Sequence, residues 1–157
     1  MVLPRIGYLI AAFATLTWFL GFATLEYSMY GLSCVLLATG FALTAFGKTR
    51  VGMTINGAVF AYWTIGFAIQ SFGIPSTLAA AVLAGGAAAI AWAPPRYLVY
   101  GLGALMVGNL WYLVDNTFLT PFLGFAFGNW VFAIGMGLVL TANLRLEFGT
   151  TTPANTS

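Results

Sequence analysis

Gly108-Asn109-Leu110-Trp111-Tyr112-Leu113-Val114-Asp115-Asn116, running on into Thr117-Phe118-Leu119-Thr120-Pro121, sets two amides, two aromatics and an acid inside an apolar run. At helical spacing Asn109, Tyr112 and Asn116 share a face, with Gly108, Trp111 and Asp115 beside them. Polar groups are costly in hydrocarbon unless partnered, so this face is expected to look at protein or water rather than lipid. The reading presupposes a membrane, and the rest of the chain supplies the reason.

Of 157 residues, 61% are hydrophobic and 5% are charged, and the mean hydropathy is +0.98. A soluble domain carries about 25% charged residues, so this pool cannot make a water-facing surface. The net charge of +2 rests on five basic and three acidic residues. That is too few for a nucleic-acid face, and no nucleic-acid partner is expected. The chain has no histidine and one cysteine, Cys34, within an apolar run. Neither a disulfide nor a Cys/His metal site can be assembled from them, and no cofactor is expected.

Working outward, six apolar runs of bilayer length emerge. They cover about 6–24, 31–47, 51–72, 76–93, 97–118 and 121–143. The first follows Arg5 and has small residues at its end, as a signal peptide would, but it exceeds the usual h-region and is read as a retained span. Gly73-Ile74-Pro75 and Pro94-Pro95-Arg96 punctuate the third and fourth runs. The expected architecture is all-α: a polytopic bundle of six transmembrane helices over residues 1–148, with a flexible polar tail at 149–157.

Charge placement supports six spans. Arg5, Lys48, Arg50, Arg96 and Arg145 all fall on one side, while Glu26 and Asp115 fall on the other. The positive-inside rule then gives a multi-pass protein of the cell membrane with both termini cytoplasmic. Arg5, Arg50 and Arg96 are spaced by 45 and 46 residues, and each opens an out-and-back hairpin. Trp18-Phe19-Leu20-Gly21-Phe22-Ala23 and Trp63-Thr64-Ile65-Gly66-Phe67-Ala68 match at Trp, Gly, Phe and Ala, and Gly7/Gly52 and Gly40/Gly85 keep the same interval. In the third hairpin Trp111 is out of step. Three related hairpins would explain this period; a common bilayer thickness would also produce one.

Depths along the helices place Trp18, Trp63, Asn109 and Trp111 about 20–22 Å from the basic side, on a level that overlaps Asn129 and Trp130. If the bundle is a conduit, its selective lining is expected to be Asn109, Tyr112, Asn116 and Asn129. Trp18, Trp63, Trp111 and Trp130 would frame it, with Phe132 and Met136 as the constriction. Amides donate and accept hydrogen bonds, which suits a small neutral solute. Polar stripes at Asn56, Trp63 and Gln70 and at Asn129, Met136 and Asn143 fit the same picture. An ordinary interfacial tryptophan belt, with one interhelical bond satisfying Asn109 and Asn129, accounts for these residues as well. Asp115 is expected at the outer boundary as a solvated helix-end acid.

Phe60-Ala61-Tyr62-Trp63-Thr64-Ile65-Gly66 is similar to the Phe-x-Tyr-x-x-x-Gly segment in the third span of the small six-helix urea and amide channels. Leu110-Trp111-Tyr112-Leu113 falls where that family has a Leu-Trp pair. The resemblance implies a channel for small amides. The family's basic first loop is acidic here, which inverts the topology, and its sixth-span glutamate has no counterpart.

Paired buried carboxylates, a cysteine–base pair and a phosphate loop are all missing from the sequence, so an enzyme is not expected. The expected function is a membrane channel or transporter for a small, uncharged solute; the alternative is a non-catalytic assembly subunit of a larger membrane complex. Gly124, Gly128 and Gly135 form a small-residue seam, available within the bundle or between protomers of a homo-oligomer.

Overall fold

The computed structural model describes residues 2–25, 27–119 and 122–149, with side chains through Arg145. Glu26, Pro121 and the tail beyond Gly149 lie outside the described residues. Six α-helices follow one another: α1 Val2–Thr24, α2 Ser28–Ala45, α3 Thr49–Ile69, α4 Ile74–Trp92, α5 Leu98–Val114 and α6 Leu123–Gly149. A 3-10 turn at Pro95–Tyr97 leads into α5, and a π-helical turn at Asp115–Leu119 leaves it. Six candidate spans, the fifth taken with its flanking turns, are long and apolar enough to cross a membrane. Among the described residues there is no strand. Large apolar side chains such as Leu16, Leu20, Leu36, Ile65, Val107 and Ile134 are exposed on the outside. A water-soluble monomer would not carry so much apolar surface; a lipid-facing bundle requires it.

Connections are short, so consecutive helices are antiparallel neighbours, and α6 closes onto α1 to complete a ring. One end of the ring holds the α1–α2, α3–α4 and α5–α6 connections, and is called the tip end below. The other end holds the start of α1, the end of α6 and all five basic residues; Asp115 lies at the tip end. Positive φ at Gly47 and Gly73 permits two of the tight connections. At the basic end Arg5 caps the Phe46 ring at 4.6 Å and Arg50 covers Trp92 at 3.7 Å. In each case the first helix of a hairpin holds the end of that hairpin's second helix.

The hairpin repeat has a physical basis in how the hairpins meet. Gly7 of α1 packs on Gly135 of α6, Gly52 of α3 on Gly40 of α2, and Gly101 of α5 on Gly86 of α4. A Cβ on Gly7 would lie 2.5 Å from the Gly135 carbonyl oxygen, and one on Gly101 would lie 3.0 Å from that of Gly86. The next contact recurs too: Val139, Thr44 and Ile90, each one turn beyond the even-helix glycine, cover Gly7, Gly52 and Gly101 respectively. Three equivalent backbone-to-backbone seams around a ring amount to pseudo-three-fold symmetry. The packed residue on α4 is Gly86, not the Gly85 that a strict interval selects; Gly85 meets nothing within 4 Å. Counted from these glycines, the partner of Trp18 and Trp63 in the third hairpin is Tyr112, not Trp111. The 3-10 turn after Pro94 shifts the register relative to Arg96.

The seam at Gly124, Gly128 and Gly135 is taken up inside the chain. Gly124 meets Gly21, Gly128 meets Thr17 and Trp18, and Gly135 meets Gly7 and Ala11. Within the chain, α1 packs against that face.

Candidate functional site

Helices that are not ring neighbours meet through side chains, Trp18 of α1 with Trp63 of α3 and Phe41 of α2 with Phe132 of α6. In the basic half side chains fill the axis. Phe41, Met53, Phe60, Leu102, Leu105, Phe132 and Met136 are all fully buried there or at mid-depth. Phe132 packs on Trp18 at 5.3 Å and against Phe41 at 5.4 Å between ring centroids. Trp18 in turn lies 6.0 Å from Trp63. This aromatic layer closes the bundle.

Above the layer, toward the tip end, the axis is hollow. A cavity of about 510 Å³ has Trp18 and Phe22 of α1 and Trp63 and Phe67 of α3 along one side. Tyr112, Asn116 and Asn129 from α5, its π turn and α6 form the other side. Leu83 and Ser76 of α4 lie between them, and Phe72, Asp115 and Phe122 are at the rim. Tyr30 of α2 stands behind the wall, stacked on Phe22 at 5.5 Å and beside Phe67 at 5.4 Å.

The polar wall is a connected hydrogen-bond network. The helix changes from α to π geometry at Asp115, and the Tyr112 carbonyl one turn earlier accepts two side-chain amides. Asn116 donates from Nδ2 at 2.8 Å and Asn129 from Nδ2 at 3.0 Å. Tyr112 donates its hydroxyl to the Ser76 carbonyl at 2.5 Å, and Trp111 donates Nε1 to the Ser76 hydroxyl at 3.2 Å. Asn109 donates Nδ2 to the Asn129 carbonyl at 3.1 Å, while its Oδ1 is buried without a partner. Turns of π geometry re-aim side chains and release carbonyls, and they recur at functional sites. Here the Tyr112 carbonyl, which also accepts the Asp115 backbone N–H, anchors the two asparagines that line the cavity.

The two tryptophans facing this wall differ. Trp63 donates Nε1 to the Ser33 hydroxyl at 2.7 Å, and Ser33 donates onward to the Tyr30 carbonyl at 2.6 Å. Trp18 has its Nε1 buried with no partner, and its indole edge lies against Gly128. In the pseudo-symmetric frame Gly128 stands where Ser33 does, so the α1–α6 seam lacks the hydroxyl that the α2–α3 seam provides.

Of the residues expected to line the site, the structure brings Tyr112, Asn116, Asn129, Trp18 and Trp63 together around one cavity. Asn109 is buried between α5 and α6 and serves the network from behind. Trp111 reaches sideways to α4. Trp130 is 48% exposed on the outer face of α6, so it faces lipid rather than framing the site. Phe132 and Met136 sit in the closed layer and beneath it, both fully buried. The seven-residue stripes line no passage. Asn56 is buried against Gly40 at the α2–α3 seam, Gln70 is exposed, and Asn143 bonds back to the Val139 carbonyl.

Ser76, Phe67, Phe72, Phe122 and Asp115 were not singled out as lining residues. For Phe67 the signal was present, since it repeats Phe22. For the others it was not: Ser76 is a small polar residue in the first turn of α4, and Phe72, Phe122 and Asp115 come from connections and a π turn that periodicity does not register. Among the described residues no cluster of His, Cys, Asp or Glu could hold a metal ion. Compared with known proteins, the chain matches no family model, no curated protein and no solved structure.

Proposed function

We propose that this multi-pass membrane protein is a channel or carrier for a small, uncharged solute, which enters at the tip end. The carrying observation is the hollow on the bundle axis, walled by aromatics on one side and by two anchored carboxamides on the other. Aromatic walls with a few convergent polar groups are the usual make-up of a small-molecule site. The positive-inside rule orients the tip end outward and the termini toward the cytoplasm. The bundle is then in a state open to the outside and closed toward the cytoplasm by the layer of Trp18, Phe41 and Phe132. Passage requires these rings to move, so Phe132 is the gate, with Met136 below it.

Solute flux into proteoliposomes tests the reading, using a panel of neutral solutes and comparing the native chain with Asn129→Leu and Asn116→Leu. The reading expects flux that both variants reduce. Flux of no solute would remove it. Labelling from outside intact cells of a cysteine at Ser157, in a Cys34→Ser background, would overturn the orientation.

The assembly-subunit reading draws on one different observation. Between α3 and α4, Gly57, Ala58, Ala61, Ala84, Gly85 and Ala88 line an outward groove in the basic half. Small residues of this kind let another helix approach closely. Isolation of the chain only in company with other membrane proteins would favour this second reading.

A further inference from the structure

The three hairpins are equivalent in packing but not in what they present to the cavity, and the difference defines an occupant. Fifteen residues past the packed glycines Gly7, Gly52 and Gly101 stand Phe22, Phe67 and Asn116. One residue earlier stand Gly21, Gly66 and Asp115. Six residues before Gly40, Gly86 and Gly135 stand Cys34, Ala80 and Asn129. At each level the third hairpin replaces an aromatic or small residue with a polar one. The symmetric frame thus holds an asymmetric wall, flat aromatic rings on one side and hydrogen-bonding groups on the other.

We propose that the cavity binds an uncharged, planar aromatic molecule bearing one amide-like hydrogen-bonding group. Its ring lies along Trp18, Phe22, Trp63 and Phe67, and its polar end lies at Asn116 and Asn129. This rests on the cavity being the solute's site, as proposed above, and narrows the solute class.

Size excludes the smallest amides as the fitted occupant. About 510 Å³ falls in the range of sites for molecules of drug size. Liquid water takes about 30 Å³ per molecule, so a urea-sized solute would leave most of the space to water against apolar rings. Ring faces and edges prefer offset or T-shaped contact with another ring to contact with an aliphatic body. Phe22, Trp63 and Phe67 already stand in tilted or edge-on contact with their neighbours and extend that arrangement to a guest. Each asparagine commits one N–H to the Tyr112 carbonyl, which fixes the carboxamide plane. A carboxamide has a second N–H and an oxygen, matching one donor–acceptor group of a guest. No basic side chain lines the cavity among the described residues, and its one lining acid is Asp115. An anionic guest would meet a carboxylate and no counter-charge.

Titration of the full-length chain in detergent, followed by calorimetry and tryptophan fluorescence, tests this with benzamide, cyclohexanecarboxamide, benzoate and urea as probes. Benzamide is expected to bind about fivefold more tightly than cyclohexanecarboxamide, the scale of a ring–ring preference. Benzoate should bind at least about tenfold more weakly than benzamide, and urea should show no saturable signal. Asn116→Leu should weaken benzamide about tenfold. Phe67→Leu removes a ring of the aromatic wall without touching the network, and should weaken benzamide while sparing cyclohexanecarboxamide. Equal binding of the two carboxamides would overturn the aromatic assignment, and benzoate binding as tightly as benzamide would overturn the uncharged one. Saturable benzamide binding without flux of any solute would leave the site standing and remove the conduit. Flux of urea-sized solutes with no benzamide binding would do the reverse.

Discussion

The basic half and the tip half of this ring are built by the same hairpins, yet one is solid and the other hollow. In the basic half glycine faces glycine at three seams, the backbones close up, and Phe41, Leu102, Leu105 and Met136 fill what axis remains. In the tip half the seams are tight as well, with Gly128 against Thr17 and Trp18 and Gly108 against Ala79, yet the axis holds the cavity between the aromatic rings and the polar wall. Trp18 and Trp63 form the boundary, with Phe132 beneath. The comparison teaches that the seams and the site are separate devices. Small residues at the interhelical seams set the ring, and the residues projecting inward decide whether its axis is filled.

The largest effect that would blur this difference is loss of the layer between the halves. Phe132→Ala removes a fully buried ring touching both Trp18 and Phe41. It is expected to cost about 3–5 kcal/mol in reversible unfolding from detergent micelles. The same variant should raise leak through proteoliposomes if the layer is the closure. Next come the seams. Gly7→Ala, Gly52→Ala and Gly101→Ala each drive a Cβ into backbone, and each should cost about 1–3 kcal/mol. Similar costs at the three positions would sharpen the symmetry; one neutral member would break it.

Ser33→Ala strips Trp63 of its acceptor and is expected to cost about 1–2 kcal/mol, read as a fall in melting temperature. It should also bring the Trp63 emission closer to that of Trp18, whose indole already lacks a partner. The smallest effect is expected at Gly85 and Gly137, where an added Cβ meets nothing within 4 Å. Alanine there should be neutral or stabilise by up to about 1 kcal/mol through helix propensity.

Much of the fold was legible in the sequence because hydrocarbon imposes few choices. Bilayer length sets the helices, charge sets the sides, and Pro and Gly set the breaks. The boundaries moved only slightly: the third helix ends at Ile69 rather than near Phe72, and the sixth runs on to Gly149. The candidate site was legible where it repeats a pattern, as at Trp18 and Trp63. It was misread where depth was taken for direction. Trp130 has the right level on α6 and the wrong azimuth, and Asn109 has the right face but a partner that holds it behind the wall. Helical spacing says which residues share a face, and not which face looks inward when every face is apolar. The register of the third hairpin was hidden for a similar reason. Arg96 sits on a 3-10 turn, so counting from it missed the equivalence of Tyr112 with the two tryptophans.

The central claim is that the axis is hollow down to the Trp18–Phe132 layer and filled below it. Single cysteines at Asn116, Asn129, Leu105 and Met136, introduced into a Cys34→Ser background and exposed to a small water-soluble thiol reagent, test it directly. The account predicts rapid labelling at Asn116, which lines the cavity, slower labelling at Asn129, which lines it with only 2% of its surface exposed, and none at Leu105 and Met136, which are fully buried. Labelling of Met136→Cys as fast as that of Asn116→Cys would mean an open passage through the basic half, and would contradict it.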